Sequence, residues 1–350
     1  MVSSWTPCLT GTSSSAAGNH VAVRLGHELL DDYLAFVAAR ARRNTVLAVA
    51  FDLKVVFSVI GKDPAAVTTT DVLGFIQAQR EPRRVNVVRL EDGESGLSAR
   101  TIKRRLATLS GFYSYLLARG DTAVVTSPVP RGLATRRAGP AGRMVPLIRA
   151  PRTLPRVLEP AEVDALTSAL RTARDRAMVA AMLLAGLRRC EVLGLRLADL
   201  NPGQRRLFVA DGKGGHQRVV PVSDGFFTEA AAYLAGERPA EADTDRLFVV
   251  LKGPHRGRPL TPAGVDEILG GARRRGGLAH ATCHELRHTC LTRLREAGMA
   301  LEAVQAQAGH RSIESTRIYL HLSAGWLAAE YHHALAVLDG EAATTAGSGA

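Results

Sequence analysis

His284-Glu285-Leu286-Arg287-His288 is the stretch of this chain that says most about its fold and its chemistry. Its pattern predicts a helix that presents the two histidines and the arginine on one face, because they stand three and four residues apart. Farther along come Gly309-His310 and a tyrosine, Tyr319. A guanidinium matches the oxygens of a phosphodiester, imidazoles transfer protons, and a phenolic oxygen can act as a nucleophile. The segment therefore indicates chemistry on a phosphate ester.

Residues farther upstream complete this set of candidates. Arg188 follows Gly186-Leu187 at the predicted start of a short helix and is a second cation for the same phosphate. Glu191 lies one turn later, where it either orients Arg188 or forms an ordinary pair within the helix. Lys213 stands between two glycines at a predicted hairpin tip. There it either delivers a proton to a leaving oxygen or is a solvated turn residue.

The stretch 284–288 also matches the H-E-x-x-H pattern of zinc peptidases. In that interpretation His284 and His288 bind Zn²⁺ and Glu285 is the general base. The neighbouring Arg287 argues against it because a cation would repel the metal, and the chain after His288 lacks the metzincin extension. A peptidase would also leave the downstream tyrosine unexplained. We therefore expect no metal here and treat His288 as a supporting, structural member of the helix.

The 350-residue chain is strongly basic, with a formal net charge of +12 and a pI near 10.2. Most of the excess falls in residues 1–150, which indicates a polyanionic partner, although an arginine-rich composition alone would also produce it. The four cysteines form no C-x-x-C pair and read as reduced thiols. The sequence contains neither a secretory signal nor an apolar run of membrane-spanning length. We expect a cytoplasmic protein that contacts no membrane.

The first half of the chain predicts a helical domain. Residues 1–24 are rich in Ser, Thr and Gly and predict a disordered tail. We expect the helical domain over 25–120, with a loop over 81–96. Its strongest helix begins after Ser98 and carries four basic residues off its apolar stripe: Arg100, Lys103, Arg104 and Arg105. They form either a solvated face or a surface that lies against a DNA backbone.

A proline-rich linker over 121–158 leads to a second domain over 159–340, and 341–350 reads as a disordered tail. Residues 177–185 are apolar on nearly every side and predict a buried central helix. Two short strands flank the glycine-rich hairpin, and residues 247–251 predict one more strand. Later helices are expected near 262–274, 282–297, 300–307, 312–321 and 324–338. The predicted fold class is therefore mainly α with a small antiparallel β-sheet.

In order and spacing, these residues resemble the tyrosine recombinases, the phage integrase and Xer-type family. The resemblance covers about residues 25–335 and implies a SAM-like helical core-binding domain followed by the family's catalytic domain. It implies that Tyr319 attacks the scissile phosphate to form a 3′-phosphotyrosyl link. Two arginines would hold the phosphate, Lys213 would be the general acid, and histidines would assist proton transfer. The implied catalytic residues are Arg188, Lys213, His284, Arg287, His310 and Tyr319, with Glu191 supporting the first arginine.

The resemblance also implies double-stranded DNA as the partner, and a homotetramer on DNA formed from a protein that is monomeric in solution. It implies no cofactor, since the strands exchange without ATP or metal. Two departures stand out: Gln307-Ala308 replaces the usual pair of leucines before Gly-His, and 81–96 reads as an insertion. An Xer-like or transposon-type recombinase fits best. A relative that binds DNA but has lost catalysis is the alternative.

Overall fold

The computed structural model describes six segments of the chain, which belong to two compact units. The described residues are 5–13, 21–81, 96–132, 146–149, 156–210 and 217–310. The first unit spans Met1–Arg152 and the second spans Thr153–Ala350, and each has its own hydrophobic core. Among the described residues, none of the helices combines the length and the apolar composition that crossing a bilayer requires.

The described part of the first unit is a short β-hairpin followed by four α-helices. The hairpin consists of the antiparallel strands β1 (Thr10–Ser13) and β2 (Val21–Arg24). The helices are α1 (Glu28–Arg40), α2 (Arg43–Ile60), α3 (Thr69–Arg80) and α4 (Ala99–Arg119). The Ser98 side chain accepts a hydrogen bond from the backbone N–H of Thr101 and caps α4, as the sequence predicts. The apolar faces of all four helices meet in one core.

The start of the chain differs from the disordered tail expected over 1–24. Strand β1 pairs with β2, and the backbone N–H of Cys8 donates to Leu25 O at 3.2 Å. The indole Nε1 of Trp5 donates to Gly26 O at 2.9 Å, and Leu25 is fully buried. The polar composition suggested disorder, but the paired strands satisfy their backbone groups, and Val23, Leu25 and Trp5 pack into or against the core of the unit.

The two ends of the expected linker, 121–158, pack onto the hydrophobic cores. Val129 and Ile148 belong to the core of the first unit, and Leu158 belongs to that of the second. A high proline content predicts an extended path, but apolar residues at either end of such a segment still gain free energy by burial. The middle of the segment lies outside the described residues.

The described part of the second unit contains seven α-helices, one of them central, and a small sheet. The helices are α5 (Pro160–Ser168), α6 (Ala173–Ala185), α7 (Arg189–Gly194), α8 (Asp224–Gly236), α9 (Pro262–Arg275), α10 (Cys283–Glu296) and α11 (Leu301–Ala308). The strands β3 (Leu200–Asn201), β4 (Arg206–Val209) and β5 (Arg218–Pro221) form an antiparallel sheet in that order. Helix α6 packs against α8 and α10 in the core, as the apolar residues 177–185 predict.

Helix α8 has no counterpart among the expected helices, and residues 247–251 do not form the expected strand. Phe226, Ala230 and Tyr233 are buried at helical spacing. The segment is short and rich in alanine, so this periodicity was a weak signal in the sequence. Tyr233 Oη donates to the backbone carbonyl of residue 247 at 3.0 Å, and Val249 forms a single bridge. The segment also pairs through backbone hydrogen bonds, among them Leu247 N–H to Leu195 O at 2.8 Å and Val250 N–H to Arg258 O at 2.9 Å, but this pairing is too irregular to form a strand.

The expected fold class, mainly α with a small antiparallel sheet, is confirmed. The expected helices that begin at residues 262, 282 and 300 agree with α9, α10 and α11 to within one or two residues. The helices expected near 312–321 and 324–338, the tail at 341–350 and most of the 81–96 loop lie outside the described residues.

Candidate active site

Arg188 is positioned by a glycine turn between α6 and α7. Helix α6 ends at Gly186, which has a left-handed backbone with φ of +67°. A Cβ there would approach Leu291 Cδ2 to 3.1 Å, so the turn favours glycine. The backbone N–H of Arg188 then donates to Glu191 Oε2 at 2.9 Å as α7 begins. Because the Glu191 carboxylate already accepts from this N–H, the backbone N–H of Arg188 cannot serve as an anion-binding group at the start of α7.

The Glu191 carboxylate is the buried centre of this site. It accepts hydrogen bonds from Arg188 Nη1 at 2.8 Å and from Nη1 and Nη2 of Arg218, each at 2.9 Å. Arg287 Nη1 lies 3.8 Å from Glu191 Oε2. Burial raises the pKa of Glu191, but the hydrogen bonds and charges of Arg218 and Arg188 outweigh it and hold the pKa below its usual value. The carboxylate therefore stays ionised and links three guanidinium groups.

Arg287 reaches the same centre from α10. Thr282 and Glu285 form a reciprocal capping box at the start of this helix. The buried Arg287 guanidinium donates to Gly186 O at 2.5 Å and to Ala308 O at 2.6 Å, so it ties the end of α6 to the end of α11. The Glu285 carboxylate is committed to capping the helix. This argues against its use as a general base, and hence against the zinc-peptidase interpretation.

His310 contacts Arg287 directly, with Arg287 Nη2 lying 3.1 Å from His310 Nε2. A guanidinium has donors only, so His310 Nε2 is the acceptor and the ring proton resides on Nδ1. Burial lowers the pKa of His310 to about 4, and the charges of Arg287, Arg188 and Arg218 add to the effect. At neutral pH His310 is therefore an uncharged ring whose proton resides on Nδ1.

His284 and His288 contact each other on α10. Their Nε2 atoms lie 2.8 Å apart, so one ring donates and the other accepts. Burial lowers the pKa of His288 to about 4, and the charges of His284, Arg287 and His310 contribute to the lowering. His288 thus orients His284, which lines a cleft of about 490 Å³ together with Arg188.

Arg218 and Gln307 belong to this site, although neither was among the predicted site residues. Arg218 lies on β5 two residues before the buried Val220, on the same face of the strand. An arginine on the inward face of a strand requires a buried partner, and this was the signal available in the sequence. The buried Gln307 amide donates to Ala185 O at 3.0 Å and to Pro221 O at 3.1 Å. Gln307 stands where the family usually has a leucine. Its amide therefore donates to two carbonyls that a leucine side chain could not pair.

The structure brings together part of the predicted set. The predicted residues that meet around the Glu191 carboxylate are Arg188, Arg287 and His310, and His284 lines the adjacent cleft. The ordinary pair of Arg188 with Glu191, the simpler alternative, is present as one arm of this larger cluster. Lys213 and Tyr319 lie outside the described residues.

The four basic residues of α4 do not share one environment. Arg105 is buried and hydrogen-bonded to a side chain of α3. Arg104 donates to the buried Asp52 carboxylate at 2.6 Å, while about half of its side chain stays exposed. Arg100 and Lys103 are exposed. The surface expected to face a DNA backbone is therefore reduced to three residues, because Arg105 is committed to the interior of its unit.

The sequence is similar to known proteins over most of its length. It matches the profile of the Phage integrase family over residues 156–325. It is 28% identical to tyrosine recombinase XerD of Listeria monocytogenes over 312 residues, 85% of this chain and 95% of that protein. It is 34% identical to tyrosine recombinase XerD of Caulobacter vibrioides over 252 residues, 67% of this chain and 75% of that protein.

Solved structures show the same fold. The Tn1549 transposon integrase in complex with transposon right end DNA has a TM-score of 0.66 at 19% identity, covering 88% of this chain and 98% of that one. A lambda integrase dimer bound to a core site has a TM-score of 0.59 at 18% identity, covering 83% and 93%. At these identities the similarity concerns the fold.

Proposed function

The chain belongs to the phage integrase family as a site-specific tyrosine recombinase, and we propose that it cleaves and rejoins DNA through a covalent 3′-phosphotyrosyl link to Tyr319. In this proposal the first unit is a helical DNA-binding domain and the second is the catalytic domain. The proposed catalytic residues are Arg188, Lys213, His284, Arg287, His310 and Tyr319, supported by Glu191 and His288.

The observation that carries this proposal is the meeting of Arg188 and Arg287 around one buried carboxylate. Three guanidinium groups and one carboxylate leave the cluster with an excess of positive charge. A phosphodiester is an anion whose oxygens gain charge as a nucleophile attacks, so fixed cations stabilise the transition state more than the ground state. Arg188 also borders the 490 Å³ cleft, which gives a phosphate a path from solvent to the cluster.

The uncharged His288 and His310 fit hydrogen bonding better than charge stabilisation, and His284 is the proposed acceptor of the nucleophile's proton. In the proposed reaction Tyr319 Oη bonds to phosphorus, its proton passes to His284, and the bond from phosphorus to the 5′ oxygen breaks. Lys213 protonates that leaving oxygen, while the His310 Nδ1–H donates to a non-bridging oxygen. A 5′ hydroxyl of a second duplex then attacks the 3′-phosphotyrosine and releases the tyrosine.

We further propose that the partner is double-stranded DNA and that four chains assemble on it. Exchange between two duplexes cuts four strands, and each cut uses one tyrosine. The exposed cations of α4, namely Arg100, Lys103 and Arg104, would contact the phosphate backbone. The names of the relatives, Xer recombinases and a transposon integrase, favour an Xer-like or transposon-type event. The four cysteines are free thiols, which agrees with a cytoplasmic location.

Covalent capture of DNA tests this proposal. The probes are nicked duplexes that tile the DNA flanking the gene, so that a short cleaved fragment diffuses away and the adduct accumulates. The unchanged protein should give an adduct that survives SDS and forms in EDTA. Tyr319→Phe should give none, because phenylalanine lacks the attacking oxygen. Filter binding should show nearly unchanged DNA affinity for this variant.

Two outcomes would overturn the assignment in different ways. Covalent adducts formed by Tyr319→Phe would show that another residue is the nucleophile. DNA binding without any adduct from the unchanged protein would identify the chain as a DNA-binding relative that has lost catalysis.

A further inference from the structure

We propose that Arg218 is a positioning residue for recombination, which holds the Glu191 carboxylate and the turn before His310 so that Arg188 and Arg287 can engage the phosphate. This inference rests on the proposed function. It concerns a residue that lies outside the predicted catalytic set and whose side chain is only 13% exposed.

Arg218 holds Glu191 in one orientation. Its Nη1 donates to Glu191 Oε1 and its Nη2 to Oε2, each at 2.9 Å, so the planar fork fixes the plane of the carboxylate. The same two oxygens accept from Arg188, Oε1 from Nη1 at 2.8 Å and Oε2 from the backbone N–H at 2.9 Å. A rotation of the carboxylate would therefore move the Arg188 guanidinium with it.

Arg218 also supports the turn that follows α11. Its Nε donates to Gln307 O at 3.3 Å. A Cβ at Gly309 would lie 2.9 Å from Arg218 Nη1, so the guanidinium packs directly against this glycine. Arg188 Nη2 donates to Gly309 O at 3.3 Å from another direction. The turn that presents His310 is thus held by two arginines, one of which is absent from the predicted set.

The role of Arg218 is to position its neighbours, because its guanidinium nitrogens donate to Glu191 and Gln307 and, unlike Arg188, it is not among the residues that line the 490 Å³ cleft. Nε is used by Gln307, and both Nη atoms are used by Glu191. Without Arg218, the buried carboxylate would lose two of its hydrogen bonds and would pull Arg188 and Arg287 towards itself. Arg218 therefore keeps these two guanidinium groups at their present positions around Glu191.

Single-turnover cleavage of the nicked duplex that the unchanged chain captures best tests this role. Arg218→Met should lower the cleavage rate by roughly 100-fold, the effect of a small misplacement of catalytic groups, while DNA affinity changes by no more than about threefold. Arg218→Lys keeps the charge but lacks the planar fork, so its cleavage rate should lie between those of Arg218→Met and the unchanged chain. Arg176→Met removes a half-exposed ion pair with Glu229 in the same unit, and should cleave at the unchanged rate.

The pH profile separates positioning from a loss of folding. Among the described residues, the groups that face Glu191 are Arg188 just before α7, Arg218 on β5, Arg287 on α10 and His310 after α11. Arg218 is the foremost of the groups that lower the pKa of Glu191, so Arg218→Met should raise this pKa and shift the acid limb of the cleavage profile to higher pH. In a Glu191→Gln background, Arg218→Met should lower the cleavage rate little further, because both replacements disrupt the same Arg218–Glu191 interaction.

The outcomes are distinct. The inference fails if Arg218→Met cleaves like the unchanged chain, if its acid limb stays in place, or if its effect adds fully to that of Glu191→Gln. It also fails if the cleavage rates of the methionine and lysine variants merely follow their folded fractions, measured by circular dichroism. Absence of cleavage by the unchanged chain would instead overturn the proposed function.

Discussion

At the scale of single residues, burial first and neighbouring charges second determine which histidines are protonated. Burial, together with adjacent charges, lowers the pKa of His288 and of His310 to about 4. A histidine in the unfolded chain titrates near pH 6.5, so between these values the unfolded state binds protons that the folded state does not. The contribution of these rings to stability is therefore complete above about pH 6.5 and is lost as the pH falls towards about 4.

His288→Gln should flatten this pH dependence of stability. Urea unfolding followed by circular dichroism from about pH 7 to about pH 4.5 should show a smaller loss, by up to roughly 1.4 kcal/mol per pH unit, because one titrating ring is gone. His255→Gln, at an exposed position, is the matched control and should keep the slope of the unchanged chain. If His288→Gln also keeps that slope, His288 is not held neutral by its surroundings.

The task proposed for Lys213 is the transfer of one proton to the leaving 5′ oxygen. Lys213→Ala should slow cleavage of an ordinary phosphodiester by about 10²- to 10⁴-fold, the usual contribution of a general acid. A duplex with sulfur in place of the bridging 5′ oxygen has a leaving group that needs no proton, so the variant should cleave it almost normally. Single-turnover rates on the two duplexes provide the measurement. Equal losses on both would assign Lys213 a different role.

At the scale of elements, the ends of helices assemble the site. Helix α6 ends at Gly186 and α11 ends next to Gly309, and carbonyls at both ends accept hydrogen bonds from Arg287. The last carbonyls of a helix have no partner within it, so a side-chain cation that donates to them stabilises both helix ends. One buried arginine therefore joins two helices and lies at the centre of the proposed phosphate site.

Gly309→Ala should lower the cleavage rate by more than its backbone strain alone would. Gly309 and Gly298 both have positive φ, +60° and +91°, so alanine at either position costs about 1 kcal/mol or more of backbone strain. Only at position 309 would the new Cβ meet a neighbour, Arg218 Nη1 at 2.9 Å. We expect comparable decreases in Tm for both variants, and a roughly tenfold or larger loss of cleavage for Gly309→Ala alone. Similar cleavage rates for both would show that Arg218 can move without consequence.

At the scale of the whole molecule, the positive net charge favours binding to a polyanion such as DNA. The chain carries +12, and the exposed cations of α4 lie in its more basic half. Cations that contact phosphates release counterions, which makes affinity fall with salt whatever the base sequence. Phosphate contacts by the first unit should therefore appear in the salt dependence of binding.

Arg100→Ala and Lys103→Ala should each weaken binding to all DNA sequences alike. Each should reduce the slope of log affinity against log salt by about 0.9, the value for one lost phosphate contact. Filter binding across a salt series provides the measurement. Lys62→Ala, which removes a lysine paired with Asp71 at 2.7 Å in the same unit, is the control and should leave the slope nearly unchanged. Unchanged slopes for the α4 variants would place the DNA on another surface.

Much of the fold followed from the sequence because its signals are local. The uniformly apolar residues 177–185 correctly predicted the buried helix α6, and Ser98 correctly predicted the start of α4. The hairpin at the start of the chain and helix α8 were missed, because weakly apolar segments form regular structure when a neighbouring surface covers them. In both cases the stabilising partner lies elsewhere in the chain.

The sequence by itself determined the family, the mainly helical fold and the candidate residues, since caps, helical periodicity and motif order are read along the chain. Only the tertiary structure decided which charges share a partner. Arg188, Arg218 and Arg287 come from separate elements and meet at Glu191 because of how those elements pack, while Arg105 of the basic helix is turned inward. The burial and pairing of a charge depend on what folds around it, and no local pattern contains that information.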